Sequence, residues 1–312
     1  MSEGIILNDN HITPIIVVGM NRSGTRWLTT LLCCHPDVAG IRDTFRENVG
    51  DLALETNMFS IFPKMYGDIS KLNKYIAMVE QWQTTQFFRL LQVNRNELYS
   101  LDPKPENCFV LFKTAMDIHA RKAGKKYWVQ KTTPKCSKNV LKSIPEAKYI
   151  TIQRDILTNL RSKLKRLKSE SHNNRITSKE IARLVFLYSS DSWMIRKLQK
   201  DQKVSSHVVM YEDLASDTTL QLHKICDFLE VRFSDSLLGE QLYRNTRFNN
   251  MPEKEQFFSR STQFKIRFFQ FLFSLIPGRL QWYIRNKFGG LGESDFINAT
   301  FRQIKDEFHL QP

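Results

Sequence analysis

A single α/β domain, with a P-loop-like parallel sheet flanked by helices, is the fold class this 312-residue sequence predicts. Two observations carry that expectation. The apolar, β-branched run Ile15, Ile16, Val17, Val18 has the composition of a strand buried on both faces, and a glycine-bearing turn, Gly19 to Gly24, leads straight from it into helical spacing. The same order of strand, loop and helix then recurs downstream, as expected of right-handed crossovers in a parallel sheet.

In chain order, the first helix opens at Thr25. It carries Trp27, Leu28, Leu31 and Leu32 at helical spacing and should stop near His35-Pro36, because proline disfavours helical geometry in the residue before it. Residues 44–127 show mostly helical pattern and are read as an excursion covering the site. Lys148 to Gln153 form a second strand, followed by Arg154-Asp155 and a helix with Leu157, Leu160, Leu164 and Leu167 on one face, which Asp155 is placed to cap. After a polar loop from Ser169 to Ile176, Thr177 and Glu180 have capping-box spacing for a helix through Leu184, Tyr188 and Ile195. Val208 to Met210 make a third strand ending in Tyr211-Glu212-Asp213, and Asp217 caps a helix with Leu222, Ile225 and Leu229. The loops after Val18, Gln153 and Met210 should share one edge of the sheet, where ligands bind in such folds.

The composition, 41% hydrophobic, is enough for a large core, and no linker, repeat or low-complexity tract divides the chain. Lys plus Arg outnumber Asp plus Glu by 46 to 32, a net charge of +14 that suits an anionic nucleotide, an acidic acceptor, an anionic membrane surface or a nucleic acid. Ile12 to Val18 is too short for a signal peptide and lacks a basic flank, and no apolar run reaches the roughly 20 residues a membrane span needs. The five cysteines include an adjacent pair and no C-x-x-C spacing, which reads as reduced cytoplasmic thiols, and no histidine falls at zinc-ligand spacing from a cysteine pair. No metal is expected.

The segment Gly19-Met20-Asn21-Arg22-Ser23-Gly24-Thr25-Arg26-Trp27 lies between a buried strand and a helix start, where backbone N–H groups and the helix dipole hold anions. Gly19 and Gly24 permit the turn. Ser23 and Thr25 add hydroxyl donors, and Arg22 adds a permanent positive charge. The two-glycine spacing is that of a Walker A loop, yet Thr25-Arg26 stands where Lys-Ser/Thr is required, so the usual partners of a nucleoside triphosphate and its magnesium are missing.

Arg22-Ser23-Gly24-Thr25, followed by Leu31-Leu32 and His35-Pro36-Asp37-Val38, resembles the 5′-phosphosulfate loop of the sulfotransferase superfamily, particularly its tyrosylprotein and bacterial branches. Four further segments appear in family order. Lys131-Thr132-Thr133-Pro134 resembles the family's lysine segment, Arg154 with Ser162 its 3′-phosphate pair, and Tyr211-Glu212-Asp213-Leu214 its Tyr-Glu-Asp segment, while Ser259-Arg260-Ser261-Thr262 is more loosely similar to its C-terminal cofactor loop. The resemblance implies a sulfotransferase fold and a sulfuryl donor, 3′-phosphoadenosine 5′-phosphosulfate (PAPS). The domain over residues 1–312 then divides into a phosphosulfate strand, loop and helix over 14–43 and a helical acceptor-site excursion over 44–127. The 3′-phosphate and adenine elements take 128–230, and the C-terminal cofactor loop and basic aromatic helices take 231–312.

By this resemblance Arg22, Ser23, Gly24, Thr25, Arg26 and Trp27 cradle the phosphosulfate, and Arg154 and Ser162 hold the 3′-phosphate. Arg166, one turn beyond Ser162, is either a third contact or part of a solvated basic face. Tyr211 lies beside the adenine or is a core aromatic, and Arg260 and Ser261 close over the cofactor. Lys131 is implied at the bridging oxygen of the leaving group. The general base is implied at Asp43, which matches the position of a glutamate in the tyrosylprotein branch; Asp43 alternatively caps a helix over Thr44 to Val49, with Glu47 as the next candidate. His35 finishes the first helix.

Residues 257–288 hold eight of the 22 phenylalanines, interleaved with Arg260, Lys265, Arg267, Arg279, Arg285 and Lys287. They read either as helices packing on the domain or as a peripheral membrane contact. The expected function is sulfuryl transfer from PAPS to an acceptor hydroxyl on a carbohydrate or glycolipid. Peptide tyrosine is the alternative acceptor, and a nucleotide kinase on the same sheet is the alternative reaction. A cytoplasmic location, peripheral at a membrane surface in the second reading of 257–288, and no nucleic-acid partner complete the expectations.

Overall fold

The computed structural model describes residues 11–41, 57–170, 177–238 and 258–288. Within them, β1 (Thr13–Gly19) leads into α1 (Thr25–Leu32) and the short β2 (Val38–Ala39). A 3-10 turn at Asn57–Phe59 opens a helical run of α2 (Phe62–Tyr66), α3 (Leu72–Gln83), α4 (Gln86–Leu91), α5 (Arg95–Tyr99) and α6 (Cys108–Lys122). Next come β3 (Tyr127–Thr132), α7 (Pro134–Ser143), β4 (Lys148–Gln153), α8 (Ile156–Glu170) and α9 (Ser178–Lys200). The chain continues through β5 (Ser206–Met210), α10 (Tyr211–Ser216), α11 (Thr218–Leu229), α12 (Arg260–Ser274) and α13 (Gly278–Phe288).

The five strands form one parallel sheet in the order β2-β3-β1-β4-β5. β1 is central because both its faces are apolar: Ile15, Ile16, Val17 and Val18 are fully buried, each contributing about 1.5–3 kcal/mol relative to exposure. Alternation along the strands sorts the core into two layers. Ile15, Val17, Val129, Ile150 and Val209 meet Leu28 and Leu31 of α1 and Leu222 and Ile225 of α11. Ile16, Val18, Trp128 and Tyr149 meet Phe112 and Met116 of α6 and Val140 of α7.

The parallel register brings the carboxyl ends together. Val18 lies beside Thr132 and Thr151, Gly19 beside Ile152, and Gln153 beside Met210, so the loops after β1, β4 and β5 share one edge as expected. The sheet holds two strands beyond the three read from apolar runs. β2 is two residues long, too short to carry a period, and β3 is interrupted by Gln130 and Lys131.

The caps follow their sequence signals. Asp155 Oδ1 accepts from the backbone N–H groups of Leu157 and Thr158, Thr177 and Glu180 close a reciprocal capping box, and Asp217 Oδ1 accepts from Leu220. One boundary differs: Tyr211-Glu212-Asp213 is the first turn of α10, since Met210 already has its N-cap position. Likewise α8 runs on to Glu170 rather than ending before Ser169, because Lys168, Ser169 and Glu170 are compatible with one further turn.

α12 and α13 pack on the domain. Ile266 and the preceding Phe258 join Leu160 and Leu164 of α8 and Ile181 and Val185 of α9 in a third core cluster, and a buried Arg285–Asp191 ion pair fastens α13 to α9. No described helix is long and apolar enough to cross a membrane.

Candidate functional site

The β1–α1 loop is built by backbone geometry that few residues tolerate. Arg22 has φ 72° and Gly24 φ 98°, left-handed positions either side of Ser23. Ser23 locks the turn through its backbone N–H and its Oγ, which donate to the Met20 carbonyl at 3.1 and 2.7 Å. A Cβ at Gly24 would sit 2.6 Å from Tyr211 Cδ2, and one at Gly19 would sit 2.5 Å from Thr25 Cγ2 and 2.6 Å from Ser23 Oγ. Both glycines are therefore demanded by close approach. Gly24→Ala is expected to lower stability by about 1–3 kcal/mol through strain at the left-handed position, read as a lower urea midpoint at unchanged slope.

Arg154 leaves the end of β4 and reaches back over this loop. Its Nη1 donates to the Arg22 carbonyl at 3.1 Å, its Nε to Thr158 Oγ1 at 3.2 Å, and its guanidinium lies 3.9 Å above the Tyr211 ring. Burial lowers its pKa from the ordinary arginine value, with Tyr211, Glu212 and Asp155 acting the other way. Among the described residues no carboxylate comes within ion-pair distance of it; its hydrogen bonds go to neutral oxygens. Tyr211 is wedged between that guanidinium and Trp27, whose ring meets it edge-on with centroids 5.9 Å apart.

Helix α8 closes the other side. Ser162 is buried, and its Oγ accepts from Arg22 Nε at 3.0 Å. The two residues assigned by resemblance to separate phosphates, Arg22 and Ser162, are thus direct neighbours across 140 positions of chain. One turn earlier, Asn159 Nδ2 donates to the Asn21 carbonyl at 3.2 Å, so α8 also grips the loop backbone.

Lys131 occupies the penultimate position of β3, opposite Val17, on the sheet face that carries α1. That strand is held from behind by Trp128, whose Nε1 donates to Asp117 Oδ1 of α6 at 2.7 Å. His35 is engaged on both ring nitrogens, with the Asp37 N–H 3.1 Å from Nδ1 and the Arg232 carbonyl 2.8 Å from Nε2, which fits the end-of-helix role expected of it.

Arg22, Ser23, Gly24, Thr25, Trp27, Arg154, Ser162 and Tyr211 are brought to one edge; Arg26 also belongs to the loop but is exposed on the first turn of α1. Arg166 lies on α8, and nothing is described of its side chain. Arg260 and Ser261 are exposed on the first turn of α12, a helix that packs on α8 and α9. Asp43 and Glu47 lie outside the described residues.

Several supports escaped the sequence reading. Glu212 Oε1 accepts from Thr158 Oγ1 at 3.0 Å and from the Asp155 N–H at 3.1 Å, tying α10 to α8 beneath Arg154. Tyr188 of α9 donates its hydroxyl to the Arg154 carbonyl at 2.7 Å, and burial pushes that hydroxyl up to about 12. A signal existed for Asn159, which lies one turn before Ser162 on the same side of α8. None existed for Tyr188, whose partner lies 34 residues away.

A parallel sheet whose first loop curls around a strand-to-helix turn, with two arginines from different loops converging on it, defines an anion-handling α/β protein of the phosphate-loop class. The sulfotransferase family model matches residues 14–235, and the chain belongs to that family. It is a sulfotransferase.

No curated protein matches the chain by sequence. Among solved structures it is similar to the sulfotransferase domain from the Synechococcus PCC 7002 olefin synthase, at 16% identity and TM-score 0.47, covering 84% of this chain and 96% of that one. The sulfotransferase domain from the curacin biosynthetic pathway matches at 14% identity and TM-score 0.48, covering 82% and 96%. Sulfotransferase STF9 from Mycobacterium avium matches at 13% and 0.47, covering 85% and 76%. At these values the overlaps carry no argument, and membership rests on the family match.

Proposed function

We propose that this enzyme takes a sulfuryl group from PAPS and passes it to a hydroxyl of a carbohydrate or glycolipid. The observation that carries the donor is Arg154: a partly buried guanidinium, with no carboxylate at ion-pair distance among the described residues, pinned between the loop carbonyl of Arg22 and the ring of Tyr211. Such a cation calls for an anion beside an aromatic face, which a 3′-phosphorylated adenosine supplies. Ser162 and Arg22 add a hydroxyl and a second guanidinium next to it.

In the reaction, the acceptor oxygen forms a bond to sulfur while the bond from sulfur to the bridging oxygen breaks, leaving the electron pair on the 5′-phosphate of 3′-phosphoadenosine 5′-phosphate (PAP). Catalysis of this kind rests on positioning and on cations at the oxygens that gain charge. Arg22 and the N–H groups of the loop take the phosphosulfate, Lys131 the bridging oxygen, and Asp43 the acceptor proton, with Arg166, Arg260 and Ser261 as outer contacts of the nucleotide. A net charge of +14 supports an acidic acceptor. The setting is the cytoplasm, which suits five cysteines that include an adjacent pair and no C-x-x-C spacing.

The test is isothermal titration of the full chain with PAP and, in parallel, with ATP. Micromolar binding of PAP and at least tenfold weaker binding of ATP are expected. Equal or tighter binding of ATP would sink the donor assignment and return the nucleotide-kinase reading.

A further inference from the structure

α12 carries two apolar faces, and the domain uses one. Ile266 is buried, and Phe269 and Phe273 pack beside it against α8 and α9. On the opposite side Phe264, Phe268, Phe271, Leu272 and Leu275 are 70%, 50%, 64%, 42% and 65% exposed. At about 100° per residue these five fall in one stripe about 100° wide. On α13, Leu280 and Tyr283 are likewise 47% and 57% exposed. Leaving such a stripe in water forgoes the burial that holds the rest of the chain together, so it marks a contact surface.

The charges choose the partner. From Phe258 to Phe288 there are six basic residues and no Asp or Glu, in a chain that holds 32 of them. Arg285 is engaged in the internal pair with Asp191. The other five, Arg260, Lys265, Arg267, Arg279 and Lys287, are exposed. On α12 the cations border the stripe on both sides, Lys265 along one edge and Arg260 and Arg267 along the other. Long basic side chains beside a phenylalanine stripe can lift their heads to a phosphate layer while the rings enter the acyl boundary. A second copy presenting the same surface would set like charges against like, which disfavours self-association.

We infer that the outer face of α12 and the start of α13 form a docking surface for an anionic lipid bilayer, with the helices lying in the plane of the headgroups. Apart from Arg260 at its margin, this surface is separate from the donor site: it would hold the enzyme at a membrane whatever nucleotide it uses. The basic edges supply electrostatic attraction, each exposed cation contributing about fivefold in partitioning, and the rings supply apolar burial.

The full-length protein is floated with phosphatidylcholine vesicles prepared with or without phosphatidylglycerol. It should rise with the anionic vesicles, remain below with neutral ones, and rise less as salt is increased. Phe264→Asp combined with Phe271→Asp should reduce the floated fraction about tenfold or more while far-UV circular dichroism and PAP binding stay as in the wild type. Lys265→Glu with Arg267→Glu keeps the apolar stripe and should cost at least about fivefold per charge. Absence of flotation, flotation indifferent to the anionic lipid, or full flotation of both variants overturns the proposal. So does a wild-type dimer that the phenylalanine substitutions dissociate without any flotation, which would assign the face to a second copy.

Discussion

Arg154→Ala is expected to weaken PAP binding by about two orders of magnitude, measured by calorimetric titration of the intact protein. On the proposed function the change removes a charge-assisted hydrogen bond to phosphate, itself worth about 1.5–3 kcal/mol. It also removes the donor to the Arg22 carbonyl and the cation stacked on Tyr211, so the β1–α1 loop loses a brace. Arg154→Lys separates these contributions. It keeps the charge but cannot bridge Thr158 and the Arg22 carbonyl with a planar fork, and should recover only part of the affinity. Wild-type affinity in Arg154→Ala would mean that the guanidinium is structural and the 3′-phosphate sits elsewhere.

Lys131→Ala should act on rate rather than binding, lowering turnover by about a hundred- to a thousandfold with PAP affinity within about threefold of wild type. A cation at the bridging oxygen gains most of its interaction only as that oxygen takes up charge, so its removal is felt in the transition state. The location of Lys131 suits this role, one residue from the end of β3 and beside β1, the strand that enters the β1–α1 loop, with the Trp128–Asp117 hydrogen bond bracing β3. The readout is PAP formed from PAPS per enzyme, with water as acceptor until an organic hydroxyl is identified. A variant that turns over like the wild type would remove Lys131 from the chemistry.

Much of this site was legible in the sequence because its parts are local. A β-branched run ending in a glycine-bearing turn can only be a buried strand feeding a loop, and Asp155, Thr177 and Asp217 announce their helices through caps that act within three residues. The order of short motifs along the chain was enough to name the family. Tyr211 was read as the end of a strand and opens a helix instead, because a helix start and a strand end share the same extended N-cap residue, here Met210. The two-residue β2 left no pattern to read.

Contacts that define the site across long separations are a different matter. Arg22 meeting Ser162, Arg154 stacking on Tyr211 and Glu212 bracing Thr158 depend on the parallel register that sets Gly19, Gln153 and Met210 at one edge. No propensity encodes which side chain lies opposite which after two crossovers. The same holds for the C-terminal helices. Their phenylalanines and cations were plain in the sequence, but a helix with two apolar faces does not say which is inside. Residues 258–288 by themselves determined an aromatic, wholly basic pair of helices. Only packing on α8 and α9 decided that Ile266 and Phe269 go inward and that Phe264, Phe268 and Phe271 face out, because burial is settled by the surface a helix finds to pack against.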